Sequence, residues 1–300
     1  MVKKAVILAA GSASRMQKGI EKYIKDPEEL AAIRKGEKMA ARFSRFPFLD
    51  YQILSLAVNG LKEINIVLNP KDTFFKTHYT TMGKKLFPEV EISFSYQEIP
   101  DGTAHALLCA KDFIGRERFL ALNGDNYYPD SSIRMLINSP EKLSAMVGYD
   151  RECFNPWVRD RVKSYAVIKT RDGKLDEIIE KSDNPEVFRV NDILIDKNEK
   201  PVKIKDKILV SMSIWCFTPE IMRTCSEVPM HPPRAPGKRG EYELPDAVKL
   251  FLDWGNEILV YYDCGDVLDL TKPEDIEIVS KQIKEKLTDL VVELENRYVV

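Results

Sequence analysis

Apolar strand-like runs alternate with helix-like segments through the first 125 residues, and this alternation constrains the fold more than any other feature. The first run, Ala5-Val6-Ile7-Leu8-Ala9-Ala10, is continuously apolar and stops at Gly11, which is typical of a central parallel strand covered on both faces. In chain order, the next predicted elements are a helix over 49–61, a strand over 64–68, a helix over 71–87, a strand over 90–96, a helix over 103–113 and a strand over 119–123.

This order predicts an α/β protein with a doubly wound, mostly parallel sheet. In such sheets ligands gather at the carboxyl ends of the strands. Gly11, Gln97 and Asp125 each follow a predicted strand, so we expect them to converge there.

The pattern changes after about residue 144, where strand pairs replace the alternation. Segments 165–170 and 174–181 flank Arg171-Asp172-Gly173, a sequence typical of a hairpin turn. Further elements are predicted at 207–217 (strand), 243–254 (helix), 258–262 (a strand returning to the sheet) and 272–297 (a charged helix). We therefore predict one domain over 1–300, with an α/β first half (1–143), an inserted β-rich region (144–256), and a returning strand with a C-terminal helix (257–300).

Composition excludes several classes of partner. The 300 residues carry a formal net charge of −2, so there is no global basic field to hold a nucleic acid backbone. No stretch approaches the roughly 20 apolar residues that span a bilayer. Five cysteines, an odd number without a CxxC pair, argue against a disulfide framework or a zinc site. We expect a cytoplasmic protein with small-molecule partners, and a homo-oligomer stays open.

The segment Leu8-Ala9-Ala10-Gly11-Ser12-Ala13-Ser14-Arg15-Met16 runs from a strand into a turn of small residues that ends in an arginine. Small side chains let backbone N–H groups approach phosphate oxygens, and the guanidinium adds positive charge. An ordinary strand-to-loop turn is the alternative. The segment is neither a P-loop nor a dinucleotide-binding glycine loop.

This segment resembles the LAAGxGTRM signature of the sugar-1-phosphate nucleotidyltransferases, a Rossmann-like family. Ala13 stands in place of the family's second glycine and Ser14 in place of its threonine, whereas Arg15 is retained. The resemblance implies that Arg15 contacts the triphosphate.

A second segment, from Gln97 to Ala106, reads QEIPDGTAHA and resembles the family's QxxPxGTAHA nucleobase-binding segment. A glutamine amide both donates to and accepts from a base edge, and a glycine lets backbone groups reach the base. The resemblance implies that Gln97 and Gly102 bind the base. Taken together, the segments assign nucleotide binding to Ala10, Gly11, Ser12, Gln97, Gly102, Thr103, Asn123 and Gly124.

Two aspartates end predicted strands. Asp125 lies in LNGDN, similar to the family's VxxGD, and Asp263 lies in YYDCGD, similar to its WxDxGT. Two carboxylates and phosphate oxygens supply the hard oxygen ligands that Mg²⁺ prefers. The resemblance implies that Asp125 and Asp263 are metal ligands, although a lone aspartate after a strand is more often a turn former.

Sugar and phosphate contacts are implied by two further segments. Glu180-Lys181 resembles the family's EKP segment, with Ser182 in place of proline, and Ser213 lies in SMSI, in the place of its NxGI. A surface ion pair is the alternative for Glu180 and Lys181. Tyr165-Ala166-Val167 also resembles the family's YGV, with Ala166 in place of a glycine close to the sugar. The substitutions in this segment and in SMSI both fall on sugar contacts, so the identity of the sugar is the least transferable inference. The resemblance thus implies that 1–143 is the nucleotide-binding half and that 144–256 is the sugar-binding region.

The catalytic lysine is predicted by spacing. In the family a lysine precedes a proline by nine residues, as Lys38 precedes Pro47. A charged insertion over 17–37 contains further lysines that stay open as phosphate partners: Lys18, Lys22, Lys25 and Lys35. The insertion itself is either a lid over the triphosphate or a solvated helix.

The combined prediction is an Mg²⁺-dependent enzyme that transfers a nucleoside monophosphate from an NTP to a sugar 1-phosphate. UTP is favoured over dTTP or CTP. Two alternatives stay open: transfer to a non-sugar acceptor such as phosphocholine, and a regulatory relative that binds a nucleotide sugar without turnover.

Overall fold

A computed structural model describes residues 2–233 and 239–299. These residues divide into two compact units. The N-terminal unit holds residues 3–100, 123–127 and 268–299, and the central unit holds residue 2, residues 101–122 and the described part of 128–267. The partition of a single domain at residues 143 and 256 stays a prediction.

The strands within the described ranges are, in chain order, β1 (Lys4–Leu8), β2 (Arg42–Phe43), β3 (Phe46–Pro47), β4 (Glu63–Leu68), β5 (Glu91–Tyr96), β6 (Phe119–Asn123), β7 (Asn126–Tyr127), β8 (Ser144–Asp150), β9 (Ala166–Arg171), β10 (Lys174–Glu180), β11 (Arg189–Ile195), β12 (Pro201–Phe217), β13 (Ile258–Asp263) and β14 (Leu268–Asp269). The helices are α1 (Pro27–Arg34), α2 (Phe48–Val58), α3 (Phe74–Leu86), α4 (Thr103–Cys109), α5 (Lys111–Ile114), α6 (Asp130–Ile137), α7 (Pro156–Arg159), α8 (Ile221–Glu227), α9 (Leu244–Asp253), α10 (Asp275–Lys286) and α11 (Thr288–Val299).

A parallel sheet forms the core of the N-terminal unit. Strand β4 pairs in parallel with β1 on one side and β5 on the other, and the middle residues of β1 are fully buried. Parallel pairing of strands connected through helices confirms the predicted α/β, Rossmann-like fold class. Strand β1 ends at Leu8 rather than Ala10, although the Ala9 N–H still donates to Val67 O at 2.9 Å.

Helix α2 is buried along almost its whole length, including the carboxylate of Asp50. His78 Nε2 lies 2.9 Å from one Asp50 oxygen, and the Tyr79 hydroxyl donates to the same oxygen at 2.9 Å. A buried carboxyl group needs hydrogen-bond partners, and those of Asp50 come from α3. This cluster therefore stabilises the packing of α2 against α3.

Two predicted helices are each broken in two. The helix predicted over 103–113 is interrupted at Ala110, and the C-terminal helix predicted over 272–297 is interrupted at Leu287, between α10 and α11. Arg297 near the end of α11 donates to Leu86 O at 2.8 Å and pairs with Glu89. These contacts hold the end of α11 against the end of α3 and the segment that follows it.

The central unit is mainly antiparallel. Strand β12, longer than predicted, pairs with β6, β8, β9 and β11, while β13 pairs in parallel with β8. The hairpin between β9 and β10 is confirmed, and positive φ angles at Asp172 and Gly173 give the twist that this turn requires.

Cysteine pairing corrects the sequence prediction. Cys153 and Cys264, 111 residues apart, form a disulfide, whereas Cys109, Cys216 and Cys225 are free. The pair was missed because only the parallel pairing of β8 with β13 brings these residues together. Within the described ranges, no helix has the length and apolarity needed to cross a membrane.

Candidate active site

The small-residue turn after β1 presents exposed groups on a buried anchor. Gly11, Ser12 and Arg15 are exposed, whereas Met16 is fully buried. Ala13 has a φ of 51°, a left-handed conformation that glycine adopts without penalty. Ala13, which replaces the family's second glycine, therefore adopts this conformation at a small energetic cost. The turn still offers N–H groups and a guanidinium to an anion.

The insertion over 17–37 packs against this turn, unlike the solvated helix that was one of its two interpretations. Helix α1 is capped by Asp26, which accepts from Glu29 N, and it buries Ile33 completely. Gln17 Nε2 donates to Ser12 O at 3.0 Å and to Arg34 O at 3.1 Å. The insertion thereby connects the phosphate-binding turn to the segment that carries Lys38.

Among the candidate lysines, Lys38 is the one whose ammonium forms an ion pair with Asp125. The Lys38 side chain is 13% exposed and that of Asp125 is 24% exposed. The pair is therefore mostly removed from water, but both side chains remain accessible to a ligand. Lys25 Nζ instead donates to Glu21 O, and Lys35 Nζ donates to the Thr73 hydroxyl at 3.5 Å. The ion pair with Asp125 thus distinguishes Lys38 from Lys25 and Lys35, and its role as the phosphate partner stays a prediction.

Backbone hydrogen bonds hold Asp125 in place. The Gly124 N–H donates to Leu8 O at 2.9 Å, and Leu270 N donates to Asp125 O at 2.9 Å. A Cβ on Gly124 would lie 3.2 Å from Leu8 O, so this close approach favours glycine. Gln52 Nε2 also binds the carbonyl oxygens of Asn123 and Asn126, at 3.0 and 2.7 Å.

A further acidic residue, Asp269, was not predicted from the sequence. It lies on β14, opposite Asn126 of β7, and is only 6% exposed. Burial raises the pKa of Asp269, the charge on Asp125 raises it further, and Lys38 lowers it. The only sequence signal was an acidic residue between two leucines, which does not reveal the neighbours that the fold supplies.

Gln97 stands at the end of β5. It is 4% exposed, and its backbone N–H donates to Leu68 O at 2.9 Å. Its side-chain amide thus belongs to the carboxyl edge of the parallel sheet of the N-terminal unit, as predicted from the strand pattern.

Residues 101–104 of the predicted nucleobase-binding segment contact the residues just before α9 in the central unit. The Tyr242 N–H donates to Asp101 O at 2.7 Å, and Ala104 N donates to Tyr242 O at 2.8 Å. Gly102 has a φ of 100°, and a Cβ there would lie 2.5 Å from Tyr242 O, so only glycine fits. The Thr103 hydroxyl accepts from Leu244 N at 2.8 Å, so it caps the start of α9, whereas α4, which Thr103 begins, has no side-chain cap.

The predicted sugar-phosphate residues also lie in the central unit. Lys181 Nζ is 3.0 Å from a Glu180 oxygen and 4.0 Å from a Glu243 oxygen. Both Lys181 and Ser213 have positive φ angles, 53° and 56°, and the Tyr128 hydroxyl donates to Ser213 O at 3.3 Å. The roles of Lys181 and Ser213 as sugar-phosphate contacts stay a prediction.

Asp263 ends β13 with its carboxylate buried and hydrogen-bonded through both oxygens. One oxygen accepts from the hydroxyls of Ser131 and Ser132, both at 2.8 Å, and the other accepts from Gly265 N at 3.0 Å. These serines, missed from the sequence, orient the carboxylate. Asp263 belongs to the central unit and Asp125 to the N-terminal unit, so their joint coordination of one ion stays a prediction.

Comparison with known proteins identifies the family. Residues 33–285 match the family model described as nucleotidyl transferase. The chain belongs to the nucleotidyl transferase family. The matched span begins after the small-residue turn and most of the insertion, and it includes Lys38, Asp125 and Asp263.

Curated relatives of this nucleotidyl transferase match it over nearly its full length. A UTP–glucose-1-phosphate uridylyltransferase of Haloferax volcanii is 26% identical over 95% of this chain and 98% of its own length. A glucose-1-phosphate thymidylyltransferase of Neisseria meningitidis is 23% identical over 84% of this chain and 72% of its own. The family resemblance inferred from the motifs is thus confirmed.

Solved structures share the fold of this nucleotidyl transferase. A UDP-glucose pyrophosphorylase solved with UDP-glucose superposes with a TM-score of 0.65 at 19% identity, covering 95% of this chain and all of that one. The inositol-1-phosphate CTP transferase of T. maritima gives 0.62 at 15% identity, covering 95% and 97%. At these identities the similarity establishes the fold alone.

Proposed function

We propose that this nucleotidyl transferase moves UMP from UTP to a sugar 1-phosphate, with Mg²⁺ as cofactor and pyrophosphate as the second product. The observation that carries the proposal is the ion pair between Lys38 and Asp125 at the carboxyl end of the parallel sheet. The relative from Haloferax volcanii, named for UTP and glucose 1-phosphate, spans almost the whole chain and supports UTP as the donor.

The acidic residues fit a divalent cation. Asp269 is buried beside Asp125, and its pKa is raised by burial and by that neighbouring charge. Carboxylate groups forced together in this way are stabilised by a hard cation. We propose Asp125 and Asp263 as the ligands; Mg²⁺, when bound, supplies positive charge to the phosphate oxygens.

The chain's own residues then have distinct roles in the transfer. Exposed Arg15 and the Lys38 ammonium would bind the triphosphate and neutralise the charge that develops on the departing pyrophosphate. Lys181 would hold the sugar 1-phosphate, whose ionised oxygen attacks the α-phosphorus while the bond from that phosphorus to the bridging oxygen breaks. No general base is required, because the attacking oxygen carries no proton.

The test is a matrix of UTP, dTTP, CTP, ATP and GTP against acceptors, scored by released pyrophosphate. The acceptors are glucose 1-phosphate, galactose 1-phosphate, inositol 1-phosphate and phosphocholine. We expect the highest kcat/KM with UTP and a sugar 1-phosphate. Preference for phosphocholine or inositol 1-phosphate would replace the sugar assignment, and tight binding of a nucleotide sugar without turnover would refute catalysis.

Replacing one metal-binding carboxylate tests the site itself. We expect Asp125→Ala to lower kcat by at least about 10²-fold, the effect of losing one preorganised charge-stabilising group. Asp289→Asn, an exposed aspartate in the same unit, is the matched control and should keep full activity. Pyrophosphate release by Asp125→Ala at close to the normal rate would contradict the assignment.

A further inference from the structure

The disulfide between Cys153 and Cys264 lies at the ends of two neighbouring strands. Cys153 ends a short 3₁₀ turn directly after β8, and Cys264 directly follows β13. Because Tyr149 of β8 is the register partner of Asp263 of β13, the chains leave the sheet side by side. The Cα atoms of the two cysteines are 5.1 Å apart, within the range in which a disulfide forms without moving the backbone.

This pair is accessible to small molecules, unlike two of the three free cysteines. Cys264 is exposed and Cys153 is partly exposed, whereas Cys216 and Cys225 are buried. Cys109 is partly exposed, and its thiol donates to His105 O at 3.3 Å. Exposed disulfides are the ones that exchange with solution thiols.

The disulfide also constrains the segment that carries Asp263. Cys264 lies between Asp263 and Gly265, whose N–H donates to the Asp263 carboxylate. Asn155 contacts the same segment, donating to Asp266 through its backbone and side-chain nitrogens, but both distances are long, at 3.4 Å. The covalent link is therefore the stronger of these two attachments between the turn after β8 and the turn after β13.

A metal site is the competing use of these sulfur atoms. The two cysteine sulfurs and an Asp150 oxygen lie within 4.8 Å of one another. The Asp150 carboxylate, however, already pairs with Lys207 at 3.0 Å and accepts from the Tyr262 hydroxyl at 3.1 Å and from Glu152 N at 3.0 Å. Because the Lys207 ammonium already offsets the charge of the Asp150 carboxylate, this carboxylate attracts a further cation only weakly. The geometry therefore favours the disulfide.

We propose that Cys153 and Cys264 form a reversible redox switch that controls the order of the 263–266 segment. In the oxidising direction, the exposed Cys264 thiolate attacks one sulfur of a low-molecular-weight disulfide, such as oxidised glutathione, and releases one thiol. Cys153 then attacks the mixed disulfide and releases the second thiol. The cysteine pair loses two electrons and two protons, and the oxidant is reduced to two thiols.

The effect on turnover rests on the proposed function, whereas the chemistry of the cysteine pair does not. When the disulfide is reduced, the 263–266 segment gains conformational freedom, and that freedom is lost again when Asp263 binds its ligand. We therefore expect reduction to raise the Mg²⁺ concentration for half-maximal activity by about fivefold, the lower end of typical coupling between sites, with a smaller change in kcat.

The experiment compares full-length protein equilibrated with oxidised glutathione or with a phosphine reductant. After denaturation, thiol titration should find three thiols in the first sample, because two of the five cysteines are paired, and five in the second. Hydrogen exchange without metal should be faster in peptides covering 263–267 after reduction. In Cys153→Ser and in Cys264→Ser, the loss of two thiols on oxidation and the redox-dependent change in hydrogen exchange should both disappear. Cys109→Ser should keep both.

Each contrary result is distinguishable. Five free thiols after equilibration with oxidised glutathione would overturn the disulfide, as would stoichiometric Zn²⁺ binding by the reduced pair that prevents its oxidation. Equal hydrogen exchange and equal Mg²⁺ dependence in both redox states would overturn the switch. If no donor and acceptor pair supports turnover, the proposed function fails, but thiol titration and hydrogen exchange still test the redox proposal.

Discussion

Glu37→Gln is expected to stabilise the protein at neutral and alkaline pH. Glu37 is 4% exposed; one of its oxygens accepts from Thr73 N at 3.3 Å, and the other is buried without a hydrogen-bond partner. Burial and, next, the charge on Asp72 together raise the pKa of Glu37 from 4.5 to about 7, against the opposing effects of Thr73 and Lys35. The ionised side chain is therefore unfavourable in the folded state.

The sign and size follow from linkage between protonation and folding. Between pH 4.5 and about 7, the folded protein holds a proton on Glu37 that the unfolded chain has released. The free energy of unfolding therefore falls as pH rises through this window and stays lower above it. At ~1.4 kcal/mol per pH unit of pKa shift, the loss reaches roughly 3 kcal/mol. The glutamine variant avoids this loss and keeps an oxygen that can accept from Thr73.

Urea unfolding followed by tryptophan fluorescence at pH values from 4.5 to 8 measures this difference. We expect the variant and the wild type to converge near pH 4.5, and the variant to be about 2–3 kcal/mol more stable at pH 8. Glu91→Gln, an exposed glutamate on β5, is the matched control and should change little. Equal stability at pH 8, or an unchanged pH slope in the variant, would refute the reasoning.

Three substitutions test other parts of the fold and site. Gly102→Ala should lower the free energy of unfolding by at least about 2 kcal/mol, because the alanine Cβ would lie 2.5 Å from a backbone oxygen. Gly255→Ala is the control: no atom lies within 4 Å of the new Cβ, so we expect about half that loss in the same urea assay. Asp50→Ala should lower the free energy of unfolding by about 3 kcal/mol, because it removes the acceptor of the buried Tyr79 hydroxyl and the partner of the partly buried His78 ring. An unchanged urea midpoint would contradict this. Lys38→Ala should lower kcat by about 10²-fold in the pyrophosphate assay and Lys35→Ala should not, and the reverse result would move the catalytic role to Lys35.

Local sequence patterns predicted the fold class and the family for a physical reason. A strand covered on both faces must be apolar throughout, as in the run that ends at Gly11, and a backbone that approaches a ligand or another backbone must carry small residues, as at Gly102. Such requirements act on consecutive residues and are therefore visible in the sequence. The breaks at Ala110 and Leu287 were missed because helix periodicity continues across them.

Contacts between residues distant in the chain were decided by the tertiary structure. The fold places Lys38, one of five candidate lysines, beside Asp125, 87 residues away. It also places Asp269 on the strand opposite Asn126. The pairing of Cys153 with Cys264 depends in the same way on two parallel strands meeting. The sequence alone determined the fold class and the family, since the burial and the backbone conformation of a segment restrict which residue types it can contain. Which charges and thiols meet depends on packing between segments, and no local pattern encodes that packing.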